Sequence, residues 1–237
     1  MAGRERGCSV TLILRDCDPV LIPMRRLLTV LIISLFLLIP GLSAEETEPV
    51  TADEHYLMGN AYYSFGLAEN ATREYEIATT LNPDHADAWN NLGLSLTSLG
   101  RYDEAVDALK NTTRLDQDDP EGWYNLGYSY GMAGNTPMEI ASYEKALSLQ
   151  PNMTIAWRNI GAVRFEEGNY TGATAALEQA VGHDASSAIG WYYLGTVYEK
   201  TGNLTGAAAA LDTAISLDQN LTMARDRLEA VRRNLTV

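Results

Sequence analysis

Four tryptophans, Trp89, Trp123, Trp157 and Trp191, are all the tryptophans of the chain, and they stand 34 residues apart without slippage. Each is followed three and four residues later by an apolar residue and a glycine: Leu92-Gly93, Leu126-Gly127, Ile160-Gly161 and Leu194-Gly195. One period before Trp89 stands His55, followed by Met58-Gly59. A fixed period of this length marks a stack of supersecondary units, each too small to bury its own apolar face without its neighbours. The fold must therefore be read in units before it is read in residues.

With each tryptophan at position 4, the units run 52–85, 86–119, 120–153, 154–187 and 188–221. Position 15 is glycine in all of them: Gly66, Gly100, Gly134, Gly168 and Gly202. Apolar or small residues at positions 4, 7, 8 and 11 mark one helical face, and a second stripe follows the glycine at positions 20, 24 and 27. A glycine between two helical stripes fits the left-handed turn of a tight helix hairpin. Pro83 and Pro151 stop the second helix in two of the units. Small residues at 8, 20 and 27 let paired helices approach closely, and the tryptophan fills the space between them.

The succession of an aromatic, Leu-Gly, Tyr, Ala and Pro resembles the tetratricopeptide repeat across 52–221. The resemblance implies an all-α fold: an α-solenoid of five helix-turn-helix units, with a capping helix and tail over 222–237. Local departures fall on single interfaces. Leu96 and Arg164 stand where other units carry tyrosine, Glu139 replaces a second-helix alanine, and Thr112 replaces the next small residue. The cap is expected to turn Arg225, Asp226, Arg227, Glu229, Arg232 and Arg233 outward to solvent.

Residues 24–44 read as an export signal. Arg25 and Arg26 precede an apolar run, Leu27 to Ile39, and Ser43-Ala44 offers a small-residue cleavage site. As a helix the run reaches about 20 Å, short of the roughly 30 Å hydrocarbon core. A cleaved signal is the expectation, with an uncleaved signal anchor, which would tether the chain to the membrane there, as the alternative. Residues 1–23 read as an extension upstream of the true start at Met24, and 45–51 as a disordered lead-in. Both cysteines, Cys8 and Cys17, lie upstream of the signal, so the repeats hold no disulfide and no thiolate chemistry.

The net charge of −14 disfavours nucleic acid, which needs a basic surface. Gly127-Tyr128-Ser129-Tyr130-Gly131 satisfies the nucleophile-elbow pattern, but the pattern needs a strand before the serine and here lies in mid-helix phase. Asp116 to Asp119 crowd acids into a turn, yet Pro120 stands where a calcium loop wants an oxygen ligand. The sequence thus offers no catalytic residue, metal site or cofactor site, and the expectation is a protein that is not an enzyme.

In the tetratricopeptide family the first helix of each unit lines the concave side, which implies that positions 5, 6 and 9 face a groove. These positions yield Tyr56, Asn60, Asn90, Asn91, Tyr124, Asn125, Tyr128, Arg158, Asn159 and Tyr192. Asparagine pairs a donor with an acceptor and suits a peptide backbone, and tyrosine adds contact area with a polar tip. Alternatively, Asn91, Asn125 and Asn159 bridge adjacent helices. Asn60 and Asn91 resemble part of the family's carboxylate clamp, but its cationic members are missing. With Asp53, Asp87 and Glu121 along one edge, a neutral or basic protein or peptide segment is the expected partner. Self-association at the cell surface is the competing role.

Asn70, Asn111, Asn152, Asn169, Asn203, Asn220 and Asn234 each open an N-x-T triplet. In an exported chain these are candidate glycan acceptors; the plainer alternative is that asparagine and threonine are common turn residues.

Overall fold

The computed structural model describes residues 50–236, and all its regular elements are helices. In order they are α1 (Ala52–Ser64), α2 (Ala68–Leu81), α3 (Ala86–Ser98), α4 (Tyr102–Leu115), α5 (Pro120–Met132) and α6 (Thr136–Leu149). They continue with α7 (Thr154–Glu166), α8 (Tyr170–His183), α9 (Ala188–Lys200), α10 (Leu204–Leu217) and α11 (Thr222–Leu235). Helix starts repeat with the tryptophan period, at 52, 86, 120, 154 and 188 for first helices and 68, 102, 136, 170 and 204 for second helices. The export signal at 24–44 and the extension 1–23 lie outside the described residues, as does most of the lead-in.

Two compact units divide inside α4, one ending at Ala108 and the other beginning at Leu109. In the first, α1 packs on α2 and α2 on α3. Its core gathers Ala71, Tyr75, Leu92, Leu96, Ala105 and Ala108, with Tyr56, Tyr62 and Trp89 against the edge. In the second, α5–α6, α7–α8 and α9–α10 form hairpins, each second helix packs on the next first helix, and α11 closes on α10.

The hairpin glycines do the work their register predicts. Gly66, Gly100, Gly134, Gly168 and Gly202 have φ between 73° and 81°, and no other residue described has positive φ. Only glycine adopts that conformation without strain from a Cβ. Several helix starts are capped by polar side chains, whereas Leu67, Met153 and Leu221 precede α2, α7 and α11 without a side-chain cap. Thr51 and Glu54 form a reciprocal capping box on α1. Asp119 accepts from Glu121 N and Gly122 N, both at 2.9 Å, so the acidic turn caps α5 through its last member. Pro120 then occupies the first helical position, where its missing N–H is harmless.

Glycine at position 8 makes room for the side chain at position 24 rather than only for backbone. A Cβ on Gly127 would lie 2.7 Å from Tyr143 Cδ1 and 3.1 Å from the Glu139 carbonyl oxygen. In the later repeats Leu177 and Leu211 fill the same space over Gly161 and Gly195. The tryptophans prove half-buried, not fully interior. Each indole N–H donates to the carbonyl six residues earlier: Trp89 to Pro83 at 2.9 Å, Trp123 to Gln117 at 3.0 Å, Trp157 to Pro151 at 2.8 Å and Trp191 to Ala185 at 2.9 Å. Each thus ties its own helix to the turn that closes the preceding repeat. His55, in the tryptophan position of the first repeat, instead bonds Glu74 at 2.6 Å.

The departures from the repeat pattern resolve differently. Glu139 fits because position 12 opposite it is Gly131, where a Cβ would stand 2.5 Å from the carboxylate. Arg164 reaches Glu144 of α6 at 3.0 Å. Thr112 finds no such compensation: its hydroxyl is buried without a hydrogen-bond partner. An orphaned buried hydroxyl costs about 1–3 kcal/mol. Thr112→Val keeps the shape and removes the orphan, so the expected result is a gain of about 1 kcal/mol in urea unfolding. An unchanged or lower midpoint contradicts this reading.

Candidate functional site

Each unit carries part of the tyrosine and asparagine set, and the two parts are built differently. In the first unit α1 and α3 present Tyr56, Asn60, Asn90 and Asn91, all partly buried. Asn60 Oδ1 accepts two bonds, from Tyr75 Oη and from Asn91 Nδ2, both at 2.8 Å. Asn90 Nδ2 in turn donates to Asn91 Oδ1 at 3.2 Å. Tyr56 packs at a tilt against the rings of Tyr75 and His85, with centroids at 6.2 and 4.7 Å. Beside this network lies an open cavity of about 230 Å³, lined by Asn60, Tyr63, Ser64, Tyr75, Asn91 and Leu94.

In the second unit Asn159 on α7 donates to Tyr124 Oη at 3.3 Å and to Tyr143 Oη at 3.2 Å. The two phenol rings lie 5.5 Å apart. Asn125 is also engaged in an interaction. Tyr128 is exposed, Arg158 half-buried beside Tyr124, and Tyr192 half-buried with its edge toward Tyr193. Asn91 and Asn159 therefore bridge neighbouring helices with their N–H groups, the second of the two uses expected for them. Open on these faces are Leu57, Tyr63, Tyr128, Arg158, Tyr193 and the outer edges of the asparagines.

Sequence reasoning missed three contributors. Tyr75 and Tyr143 come from second helices, yet their hydroxyls reach through to the asparagines of the first helices. Arg227 was expected to face solvent. It instead turns inward, donating to Glu199 Oε2 at 3.1 Å and lying 5.6 Å from the ring centroid of Tyr192. The Glu199 carboxylate draws it in, and the Tyr192 face adds a cation–π surface. Arg227, Glu199, Tyr192, Lys200, Met223, Asp226 and Ala230 line a second open cavity of about 360 Å³. Arg232 is exposed as expected and pairs on the surface with Asp212 at 2.9 Å. Ser129, the serine of the elbow-like motif, is fully buried in α5.

Burial pushes the phenols of Tyr75 and Tyr143 above the ordinary tyrosine range. Burial, together with the bond to Glu178, raises Tyr198 to about 12. The unfolded chain releases such protons near pH 10, earlier than the folded one. These groups therefore contribute stability that is complete below pH about 10 and lost as pH climbs through the folded values. A titration followed by circular dichroism is expected to show stability falling above pH about 10, and Tyr143→Phe is expected to flatten that fall. An identical slope in the variant contradicts the assignment.

Among the described residues, no group of three or more histidine, cysteine, aspartate or glutamate side chains is placed to hold a metal ion, and no helix is long and apolar enough to cross a membrane. No curated protein matches the chain. Solved structures do. MamA aligns with a TM-score of 0.66 at 21% identity, covering 70% of this chain and 97% of that one. YrrB, described as a tetratricopeptide-repeat protein with an unusual peptide-binding site, aligns at 0.64 and 22%, covering 75% and 92%. The 41-end form of MamA from Desulfovibrio magneticus RS-1 aligns at 0.59 and 26%, covering 64% and 85%. The tetratricopeptide-repeat family model matches residues 56–120, 95–154 and 158–221. The chain belongs to the tetratricopeptide-repeat family.

Proposed function

We propose that this chain is a non-enzymatic interaction scaffold outside the cytoplasm, which holds a neutral or basic peptide segment on the tyrosine- and asparagine-bearing face of its first helices. The observation that carries the reading is the cavity beside Asn60 and Asn91, because it joins an apolar floor of Leu94 to a pre-bonded amide network and a tyrosine rim. Pre-bonded side chains lose little freedom when a ligand arrives, which favours binding. The net charge of −14 disfavours acidic partners, with Arg158 as a local exception. YrrB, a structural neighbour described by its peptide-binding site, supports the same use of the fold. Export rests on the residues at 24–44, whose layout is that of a secretory signal.

Peptide panels of neutral, basic and acidic character, read by fluorescence anisotropy, test the reading. Tyr63→Ala is expected to weaken a neutral or basic peptide about tenfold or more, a loss of about 1.4 kcal/mol, with helical circular dichroism unchanged. Arg158→Ala should affect only peptides that carry an acid. Binding confined to acidic peptides, or indifferent to these variants, ends the proposal. Self-association draws on one observation, the exposure of Phe65 (65%) and Leu67 (49%) in the first hairpin turn. Sedimentation equilibrium separates the two roles: a concentration-dependent mass abolished by Phe65→Ser, with peptide binding absent, favours assembly.

A further inference from the structure

Of the seven N-x-T triplets, four place an exposed asparagine in a turn, Asn152 and Asn220 between repeats and Asn169 and Asn203 within hairpins, and the other three lie within helices. Asn70 lies within α2, and its Thr72 is buried with the hydroxyl bonded to Ser95 at 2.8 Å. Asn111 is half-buried within α4 and already engaged, and its Thr113 is buried. Asn234 lies in the last turn of α11, with Thr236 bonding back to Arg233. Asn169 and Asn203 differ from all of these. Both are exposed, both occupy the hairpin turn at position 16, and both are followed by an exposed threonine.

Capping explains the asparagines but not the threonines. Asn169 Oδ1 accepts from Gly172 N and Asn203 Oδ1 from Gly206 N, each at 3.0 Å. Asn135 makes the same cap on α6, to Met138 N at 3.3 Å, yet its triplet is Asn-Thr-Pro. That triplet lacks the hydroxyl residue in third place and is no acceptor. The cap therefore works without an acceptor triplet. The Thr171 hydroxyl makes no hydrogen bond among the described residues, and the Thr205 hydroxyl does no more than donate to Asn203 Oδ1 at 3.3 Å. A cap also uses the carbonyl oxygen and leaves Nδ2 for other chemistry. The residue beside that nitrogen is glycine in both turns, where a Cβ would approach Nδ2 to 2.8 Å at Gly172 and 2.5 Å at Gly206.

We propose that Asn169 and Asn203 carry N-linked glycans. The donor class is an oligosaccharide linked to a lipid phosphate. Nδ2 attacks the anomeric carbon, the N–C bond forms as the C–O bond to phosphate breaks, Nδ2 gives up one proton, and the lipid phosphate leaves. No electrons are exchanged with an outside partner. The cap on Oδ1 persists through the substitution, so modification leaves the helix start intact. Since α7 and α9 touch, the two turns at their C-terminal ends are neighbours, and the glycans form a row along one edge of the hairpins. The first helices are about 20 Å long, so that edge is distinct from the turns joining successive repeats. Such a row covers an edge and leaves the first-helix face open.

The modification requires that the chain cross a membrane, so it rests on the extracytoplasmic part of the proposed function. The test takes the full chain from its own host, with protease protection to locate it and intact mass with peptide mapping to read modification. Thr171→Ala and Thr205→Ala each keep the cap and remove the acceptor triplet, and each is expected to lose one glycan's mass. Asn135→Gln is expected to change the mass by its own substitution alone. An exported chain unmodified at both asparagines overturns the glycan proposal and leaves export standing. Glycans on Asn70 or Asn111 with none at Asn169 and Asn203 also overturn it. A chain found only in the cytoplasm overturns both.

Discussion

Replacing Tyr143 with alanine is expected to destabilise the second unit by about 3–5 kcal/mol, the range for removing a large buried ring. Tyr143 is 1% exposed and sits at the centre of a core with Ala146, Leu147, Met153, Ala156, Ile160 and Ala176. Its loss leaves a cavity between α5 and α7 and frees Asn159 from one of its two acceptors. Tyr143→Phe removes only the hydroxyl and should cost about 1 kcal/mol. Urea unfolding of the two variants separates packing from hydrogen bonding. Equal losses would mean that the hydroxyl, rather than the ring, holds the seam.

Gly127→Ala comes next, with an expected loss of about 1–3 kcal/mol from overpacking. The added methyl meets Tyr143 on one side and the Glu139 carbonyl on the other, and the backbone cannot yield as a flexible side chain would. The two positions share one space, so their effects should not add. Residues in contact show coupling of about 0.5–3 kcal/mol, and here the methyl introduced by Gly127→Ala partly fills the void left by Tyr143→Ala. The double variant is therefore expected to be more stable than the sum of the single losses implies. Strict additivity would show that the glycine is needed for backbone approach and not for the ring.

The repeat period, the hairpin turns and the all-α class were legible because each is dictated locally. A glycine that must adopt positive φ, or a stripe spaced for one helical face, announces itself within a few residues. The candidate face was legible only as a set of positions. Whether Asn91 meets a ligand or a neighbour depends on Asn60, 31 residues away, and for Asn159 it depends on Tyr124 and Tyr143, 35 and 16 residues away. No window of sequence holds both ends of those bonds. Arg227 failed for the same reason, since the Glu199 carboxylate that draws it inward lies 28 residues upstream. Glu139 is instructive in the other direction: a charge at a small-residue position looked like a defect until Gly131 appeared opposite it.

The indole N–H bonds to the preceding turns give the molecule an optical consequence. Each of Trp89, Trp123, Trp157 and Trp191 is fastened across one seam between consecutive hairpins, and no seam carries two. When a seam opens, its indole exchanges a carbonyl for water, and its emission shifts. In a repeat protein governed by nearest-neighbour coupling, seams need not open together. Variants that retain a single tryptophan, with phenylalanine at the other three positions, would therefore read four local melting curves from one chain. Their order would show which end unravels first.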